Sequence, residues 1–174
     1  MQPNFPIEYP QFYTATILEW KQVLANDKHK DIIIESLQFL VKDKRIILNA
    51  FVIMRNHIHL IWQPKSGFTL SDIQASFMKY TAHQLKRSLS NNDSAMLEEL
   101  KVNKYDRTYQ IWKREPLGVE LRTHEVFMQK LDYIHNNPVR AGLCINPEDY
   151  HYSSARFYYE GSDVFKMLTH FSGN

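Results

Sequence analysis

An apolar run followed by strict alternation marks the centre of the chain. Residues 45–54 are mostly apolar, two polar residues follow, and alternation of polar and apolar side chains resumes over residues 57–62. Two such segments with a short polar break between them predict a β-hairpin. Aromatic and β-branched residues over 12–18 predict another strand before it.

Apolar residues with helical spacing lie on both sides of this hairpin. Residues 31–41 carry apolar side chains at positions 33, 34, 37, 40 and 41, with charge on the other side, so we expect a helix there. Ser71 and Gln74 form a capping-box pattern that predicts a second helix, running to about residue 89. The polar residues 88–94 then predict a turn.

The second half of the chain predicts further elements. A short helix is expected over residues 96–102, and the stretch 109–112 is expected to be the last strand. Thr123 is placed to cap a third long helix, with Glu125 near its positive end. Asn137 should end this helix, because the residue before a proline avoids the helical region.

The order of these elements indicates the fold class. Strands interleaved with helices predict an α+β fold of the ferredoxin-like or RRM-like kind, with one antiparallel sheet and helices mainly on one face. A length of 174 residues suits a single domain, here expected to span residues 1–174. No internal repeat is visible.

Composition narrows the class of protein. Hydrophobic residues make up 44% of the chain, which argues against disorder, and a net charge of +2 is too small to indicate a polyanion partner by itself. Cys144 is the single cysteine, so no intramolecular disulfide or CxxC site is expected. The N-terminal residues 1–4 lack the features of a signal peptide, and no window resembles a membrane span. These features predict a soluble, cytoplasmic protein.

The histidine pair in the second hairpin strand is the first candidate for chemistry. Strand alternation places His57 and His59 on one face, with backbones about 7 Å apart, so that two imidazoles can share one metal ion. Half-buried packing is the commoner role of an isolated pair of this kind. A metal site also needs a third protein ligand, which must come from elsewhere in the chain.

The helix that precedes Pro138 offers that third ligand. At about 100° per residue, Tyr133 and Asn137 lie about 40° apart on the helix surface, whereas His135 is rotated about 160° from Tyr133. Asn137 is therefore preferred to His135 as a neighbour of Tyr133. Edge packing against the core is the alternative role for Tyr133.

Three ordered motifs carry a resemblance to a known family. The sequence NHIHL at residues 56–60 resembles the HUH signature, and LDYIHNNPVRAGL at residues 131–143 resembles the tyrosine motif of REP-associated tyrosine transposases. YHYSSAR at residues 150–156 is similar to the closing motif of the same family. The resemblance covers roughly residues 51–159. Arg55 departs from it, since a proline commonly precedes the Asn-His pair.

The resemblance implies an HUH endonuclease fold and a specific chemistry. It implies that Tyr133 attacks a phosphodiester of single-stranded DNA and forms a 5′-phosphotyrosine link, which retains the ester for rejoining. It also implies a Mg²⁺ or Mn²⁺ ion, to be held by His57, His59 and the Asn137 that helix geometry favours. The two imidazoles by themselves would suit Zn²⁺ equally well. The expected partner is single-stranded DNA from hairpin-forming repeats at the nucleoid, and a homodimer is left open.

Basic and aromatic residues are candidates for contacting this DNA. Ordinary solvated charge and core packing are the respective alternatives for the two groups. The basic candidates are Lys79, Lys86, Arg87, Lys113, Arg114, Arg122 and Arg140. The aromatic candidates for base stacking are Tyr109, Trp112, Tyr158 and Tyr159.

Three other functions compete with a transposase. A replication-initiator or relaxase type of HUH nuclease would use the same chemistry, but the tyrosine motif argues against it. A DNA-hairpin binding protein that has lost catalysis is less consistent with the presence of His57, His59, Tyr133 and Asn137. A histidine-triad nucleotide hydrolase is excluded, because Ile61 stands where a further imidazole is needed.

Overall fold

The fold is built on a four-stranded antiparallel sheet, seen in a computed structural model that describes residues 9–172. The strands are β1 Gln11–Thr16, β2 Ile46–Ile53, β3 His57–Pro64, β4 Lys101–Lys104, β5 Arg107–Tyr109 and β6 Leu117–Glu120. The helices are α1 Asp27–Lys42, α2 Leu70–Asn92, α3 Ser94–Glu99, α4 His124–Arg140 and α5 Ala155–Glu160. Short 3₁₀ turns cover Leu18–Trp20, Val23–Ala25 and Pro147–Asp149.

Strand β3 lies in the interior of the main sheet. The strand order is β2-β3-β1-β6, and β3 pairs antiparallel with both β2 and β1. In the β1–β3 ladder Thr14 lies opposite His59, and Thr16 lies opposite His57. This register brings hydroxyl side chains of one strand next to the imidazoles of the other.

Each face of the sheet is covered by different helices. Helices α1 and α2 pack on one face around buried residues that include Tyr13, Leu60 and Trp62. On the other face, the apolar side of α4 contributes to a smaller cluster with Phe12 and Ile61. The side chains of β3 alternate between the two clusters, as expected for a strand buried on both faces.

The predicted fold class is confirmed. The predicted hairpin is the β2–β3 pair, and the main sheet is antiparallel throughout, in the order of a ferredoxin-like βαββαβ unit. Helices were predicted mainly on one face of the sheet, and the structure shows in addition that α4 covers the second face. The covered second face creates the space in which candidate site residues of β3 and α4 meet.

The predicted last strand at residues 109–112 is wrong. Residues 107–109 pair with β4 in a separate two-stranded sheet, and the fourth strand of the main sheet is β6. All residues of β6 are exposed, so this edge strand has no buried face and is held by its backbone pairing with β1. Ile111 and Trp112 pack into the core outside the named strands, so their apolar character reflects burial and not a strand.

Helix boundaries differ from prediction where caps decide them. The N-cap of α2 is Thr69, whose Oγ1 accepts a hydrogen bond from the Asp72 amide, so Ser71 lies inside the helix. Helix α2 also continues through the predicted turn to Asn92. Helix α1 begins at Asp27 after its cap Asn26, four residues before the predicted start.

Helix α4 begins as predicted but ends later. Thr123 is its N-cap, and its Oγ1 accepts from the Val126 amide. The helix runs through Pro138 to Arg140, so the predicted end at Asn137 is wrong. Pro138 is buried, and proline has no backbone N–H to donate. The Ala141 amide still donates to the Asn137 carbonyl, so the last turn of the helix forms despite the missing donor.

Two predictions concern secretion and membrane insertion. Residues 1–4, whose sequence lacks the features of a signal peptide, lie outside the described residues. Within residues 9–172, no helix has both the length and the apolar character needed to cross a bilayer.

Replacing Thr81 by Val should destabilise the fold by about 1–3 kcal/mol. The buried Thr81 hydroxyl accepts from the Trp112 indole N–H at 3.0 Å, and Val keeps the shape while leaving that donor unpaired. Urea unfolding of the two proteins measures the difference. Thr108→Val, at an exposed position of β5, is the matched control, and an equal effect of both changes would contradict the assignment.

Candidate active site

The candidate site begins on β3, where alternation aims two imidazoles at the α4 face of the sheet. His57 and His59 have ring centroids 4.9 Å apart, at an interplanar angle of 71°. The intervening Ile58 points into the opposite, fully buried core. The two histidines therefore share one face, as strand alternation predicts.

Helix α4 brings Tyr133 and Asn137 to the same place. The Tyr133 ring is 5.2 Å from the His59 ring, and the tyrosine side chain is 38% exposed. The Asn137 side chain is close enough to His57 to act on the pKa of that imidazole. All four side chains line one open cavity of about 640 Å³ between the sheet and the helix. Tyr133 and Asn137 therefore share one face of α4, as the helical arithmetic predicts.

Neighbouring side chains orient the two imidazoles. His57 Nδ1 lies 2.7 Å from Asn56 Oδ1, and since this oxygen only accepts, His57 Nδ1 carries the proton and donates. His59 Nδ1 lies 2.7 Å from Thr14 Oγ1. The other nitrogen, His59 Nε2, is buried and has no hydrogen-bond partner among the described residues. Buried polar atoms usually have a hydrogen-bond partner, so this nitrogen is available to a ligand.

The environment keeps both imidazoles neutral. Burial lowers the pKa of His57, and the nearby Asn137 side chain opposes this only in part. Burial also lowers the pKa of His59 to about 3, with further repulsion from His57, Lys130 and Arg140. At neutral pH each ring therefore has a lone pair on the nitrogen that bears no proton, which is the form that binds metal ions.

Two cations flank the tyrosine. Arg140 Cζ lies 4.6 Å from the centroid of the Tyr133 ring, and Lys130 Nζ lies 5.7 Å from it. Lys130 Nζ also lies 4.7 Å from the centroid of the Phe12 ring, a cation–π contact with strand β1. Both cations line the cavity, so a negatively charged group bound beside the tyrosine would be attracted.

His135 lies outside this cavity. It is 2% exposed, and its Nε2 is 2.9 Å from Ser154 Oγ, while its ring contacts Tyr158. The 160° rotation from Tyr133 thus directs it into the core, as the helix geometry predicts. Its lowered pKa, about 4, is caused by burial alone.

The predicted basic residues are divided among different surfaces. A second cavity, of about 560 Å³, runs along α2 and includes Lys79, Lys86, Lys113 and Arg114 in its lining. Lys113 lines both cavities, and Arg140 lines the first. By contrast, Arg87 lines neither, and Arg122 lies at a third cavity and is paired with Glu120.

The predicted stacking residues are mostly engaged in the protein. Trp112 is 6% exposed, and the hydroxyl groups of Tyr109 and Tyr158 donate to Glu98 and to the Asn49 carbonyl. Tyr159 remains 58% exposed on α5, but it does not line the cavity of Tyr133. Core packing, the alternative for this group, is the role of Trp112.

Sequence reasoning did not assign four residues of the site. These are Thr14, Asn56, Lys130 and Trp20, which orient the imidazoles, flank the tyrosine or stand at the cavity mouth. Helical spacing places Lys130 three residues before Tyr133, a signal that was available. The position of Thr14 depends on strand pairing and has no local signal.

Comparisons with known proteins bear on the family and the fold of the chain. A family model described as IS200-like transposase matches residues 14–113, which include both histidines and end before α4. A solved REP-associated tyrosine transposase bound to a REP hairpin is 20% identical, with a TM-score of 0.65 over 95% of this chain and 90% of that one. No curated protein sequence matches.

A second solved structure shares the fold at lower similarity. It is a putative transposase from Deinococcus radiodurans, 14% identical, with a TM-score of 0.51 over 78% of this chain and 95% of that one. At these identities the two structures establish the fold alone.

Replacing His135 by Ala should lower the free energy of unfolding by about 2–5 kcal/mol, because it leaves a cavity and removes a buried hydrogen bond. Chemical denaturation measures this change. His124→Ala, at an exposed position on the first turn of α4, should change stability by about 0.5 kcal/mol or less. A His135→Ala protein as stable as its parent would contradict the structural role.

Proposed function

This chain belongs to the IS200-like transposase family, and on that premise we propose that it cleaves and rejoins single-stranded DNA through a covalent link to Tyr133. The observation that carries the proposal is the convergence of Tyr133, Asn137 and the two neutral histidines on one open cavity. Family membership favours a transposase over an initiator or relaxase.

The donor atoms in the cavity fit a divalent metal ion. His59 Nε2 is a buried atom without a protein partner, and the Nδ1 contacts of both histidines orient the rings. No group of three or more His, Cys, Asp or Glu side chains suited to a metal occurs within residues 9–172. The third ligand is therefore of another type, and we assign it to the amide oxygen of Asn137.

Mg²⁺ and Mn²⁺ are the ions that suit this role. Imidazole nitrogen with amide and phosphate oxygen makes a mixed donor set that Mn²⁺ accepts readily and that Mg²⁺ accepts when substrate oxygens complete it. When bound, such a cation supplies Lewis-acid polarisation of a phosphate oxygen. The proposal requires the tautomer in which His59 Nδ1 donates to Thr14 Oγ1 and Nε2 is free to coordinate.

Tyr133 is the proposed nucleophile. Its hydroxyl oxygen forms a bond to phosphorus and the phenolic proton passes to solvent, while the bond from phosphorus to the 3′-oxygen breaks. The 3′-oxygen leaves and takes up a proton, so the strand ends as a free 3′-hydroxyl and a 5′-phosphotyrosine. The reverse attack by a 3′-hydroxyl rejoins DNA without an external energy source.

Lys130 and Arg140 stabilise negative charge during this step. Both lie within 6 Å of the Tyr133 ring, where the phosphate must bind for attack. Fixed cations placed where charge develops lower a barrier without reorganisation. The second cavity continues the positive surface from Lys113 along α2, which provides a path for the rest of the strand.

Hairpin-forming repeats are the proposed source of the single strand. A solved neighbour with the same fold is bound to a REP hairpin. The basic surface along α2 is consistent with a substrate that extends beyond the cleaved phosphodiester, and phosphate contacts there would position the DNA without reading its sequence.

Incubation with labelled hairpin oligonucleotides and Mg²⁺ or Mn²⁺ should produce a covalent adduct that survives a denaturing protein gel. Tyr133→Phe should abolish the adduct, since it removes the attacking oxygen, while retaining DNA binding. Tyr159→Phe, at an exposed tyrosine outside the cavity, is the matched control, and His135→Ala should also retain the adduct under conditions in which this variant is folded. A DNA-binding protein that forms no adduct with any candidate hairpin would be the catalytically silent alternative.

Calorimetric titration with Mn²⁺ should detect one site, which His59→Ala and Asn137→Ala should weaken strongly. Thr14→Val removes the hydrogen-bond partner of His59 Nδ1 and should lower the affinity about 10–100-fold. His124→Ala, remote from the cavity, should leave binding intact. Equal affinities for Thr14→Val and the parent protein would show that Thr14 does not orient the ligand.

A further inference from the structure

Trp20 stands exposed at the mouth of the catalytic cavity. Its side chain is 57% exposed and lines the same cavity as His57 and Tyr133. Its ring lies 5.9 Å from the His57 ring at an interplanar angle of 75°, so the indole is not stacked on the imidazole. An exposed large aromatic surface beside reacting groups indicates a binding role more strongly than one elsewhere on the surface.

The backbone that presents Trp20 is in an unusual conformation. Glu19 and Trp20 have φ angles of 52° and 58°, in the left-handed region that residues other than glycine adopt at a free-energy cost. The turn is nevertheless well defined, because the Trp20 amide donates to the Ile17 carbonyl and the Lys21 amide donates to the Leu18 carbonyl. Lys21, the next residue, forms an ion pair with Glu99.

Asn56 connects this turn to the catalytic histidine. Its Nδ2 donates to the Trp20 carbonyl at 3.2 Å, and its Oδ1 accepts from His57 Nδ1 at 2.7 Å. A single amide therefore holds the tryptophan backbone and orients an imidazole. The position of the indole is tied to the position of the reacting groups.

We propose that Trp20 stacks on an unpaired base of the DNA strand next to the phosphate attacked by Tyr133, which rests on the proposed function. Stacking on indole suits every base, because each has a flat π face. Lys113, Lys130 and Arg140 outnumber Glu115 among the charged residues that line this cavity, which favours a polyanion over an apolar peptide. Single-stranded DNA supplies both the phosphate and the exposed base.

Two strands that differ only in their bases test this assignment. One is a dT strand of about 12 nucleotides, within the usual range of single-strand sites, and the other has the same phosphodiester chain with abasic sugars throughout. Fluorescence anisotropy gives the affinity of each strand for the full chain carrying Tyr133→Phe, which prevents cleavage. Adding Trp20→Ala should weaken binding of the dT strand about 5–100-fold and leave binding of the abasic strand unchanged.

Two further variants sharpen the comparison. Trp20→Phe retains an aromatic face and should restore part of the preference for bases, whereas Phe39→Ala removes an exposed aromatic on α1 and should have no effect. Since Trp62 and Trp112 are buried, quenching of intrinsic fluorescence by the dT strand should disappear with Trp20→Ala.

Several results would overturn the assignment. These are an equal loss of affinity for both strands in Trp20→Ala, no loss for either, or failure of the parent protein to bind the dT strand. Adduct formation on hairpin oligonucleotides is measured separately, so an adduct without a base-dependent effect of Trp20 rejects this inference alone. A base-dependent effect without any adduct rejects cleavage by Tyr133 and leaves Trp20 as a base-binding residue.

Discussion

The register between β1 and β3 is the constraint on which the site depends. Side chains alternate along a strand, so a slip of one residue would turn both histidines into the core that holds Trp62 and would turn Ile58 outward. The fully buried apolar residues of β3 oppose such a slip. The same register sets Thr14 opposite His59, so that strand pairing also supplies the hydrogen bond that orients the ring.

The apolar stripe of helix α4 packs against the sheet, and its polar edge faces the cavity. Leu131 and Ile134 are buried against the sheet and set the rotation of the helix. That rotation carries Tyr133 and Asn137 to the cavity. Continuation of the helix through Pro138 to Arg140 places a guanidinium over the Tyr133 ring.

The electrostatics of the cavity follow from burial and from α4. Burial keeps both imidazoles neutral and able to coordinate, while Lys130 and Arg140 add fixed positive charge on the helix side. The cavity therefore has neutral imidazoles on the sheet side and cations on the helix side. The net charge of +2 does not reveal this asymmetry, because it averages over surfaces that do not face the cavity.

Local pattern determined the hairpin, the long helices, the shared face of His57 and His59, and the pairing of Tyr133 with Asn137 rather than His135. All of these depend on periodicities of 2 and 3.6 residues that can be read within one segment. The exposed edge strand β6 and the contacts of Thr14 and Asn56 were decided by the tertiary structure alone. They depend on which groups meet across the chain, as when the Asn56 side chain joins residues 20 and 57, and the periodicity within one segment does not predict such contacts.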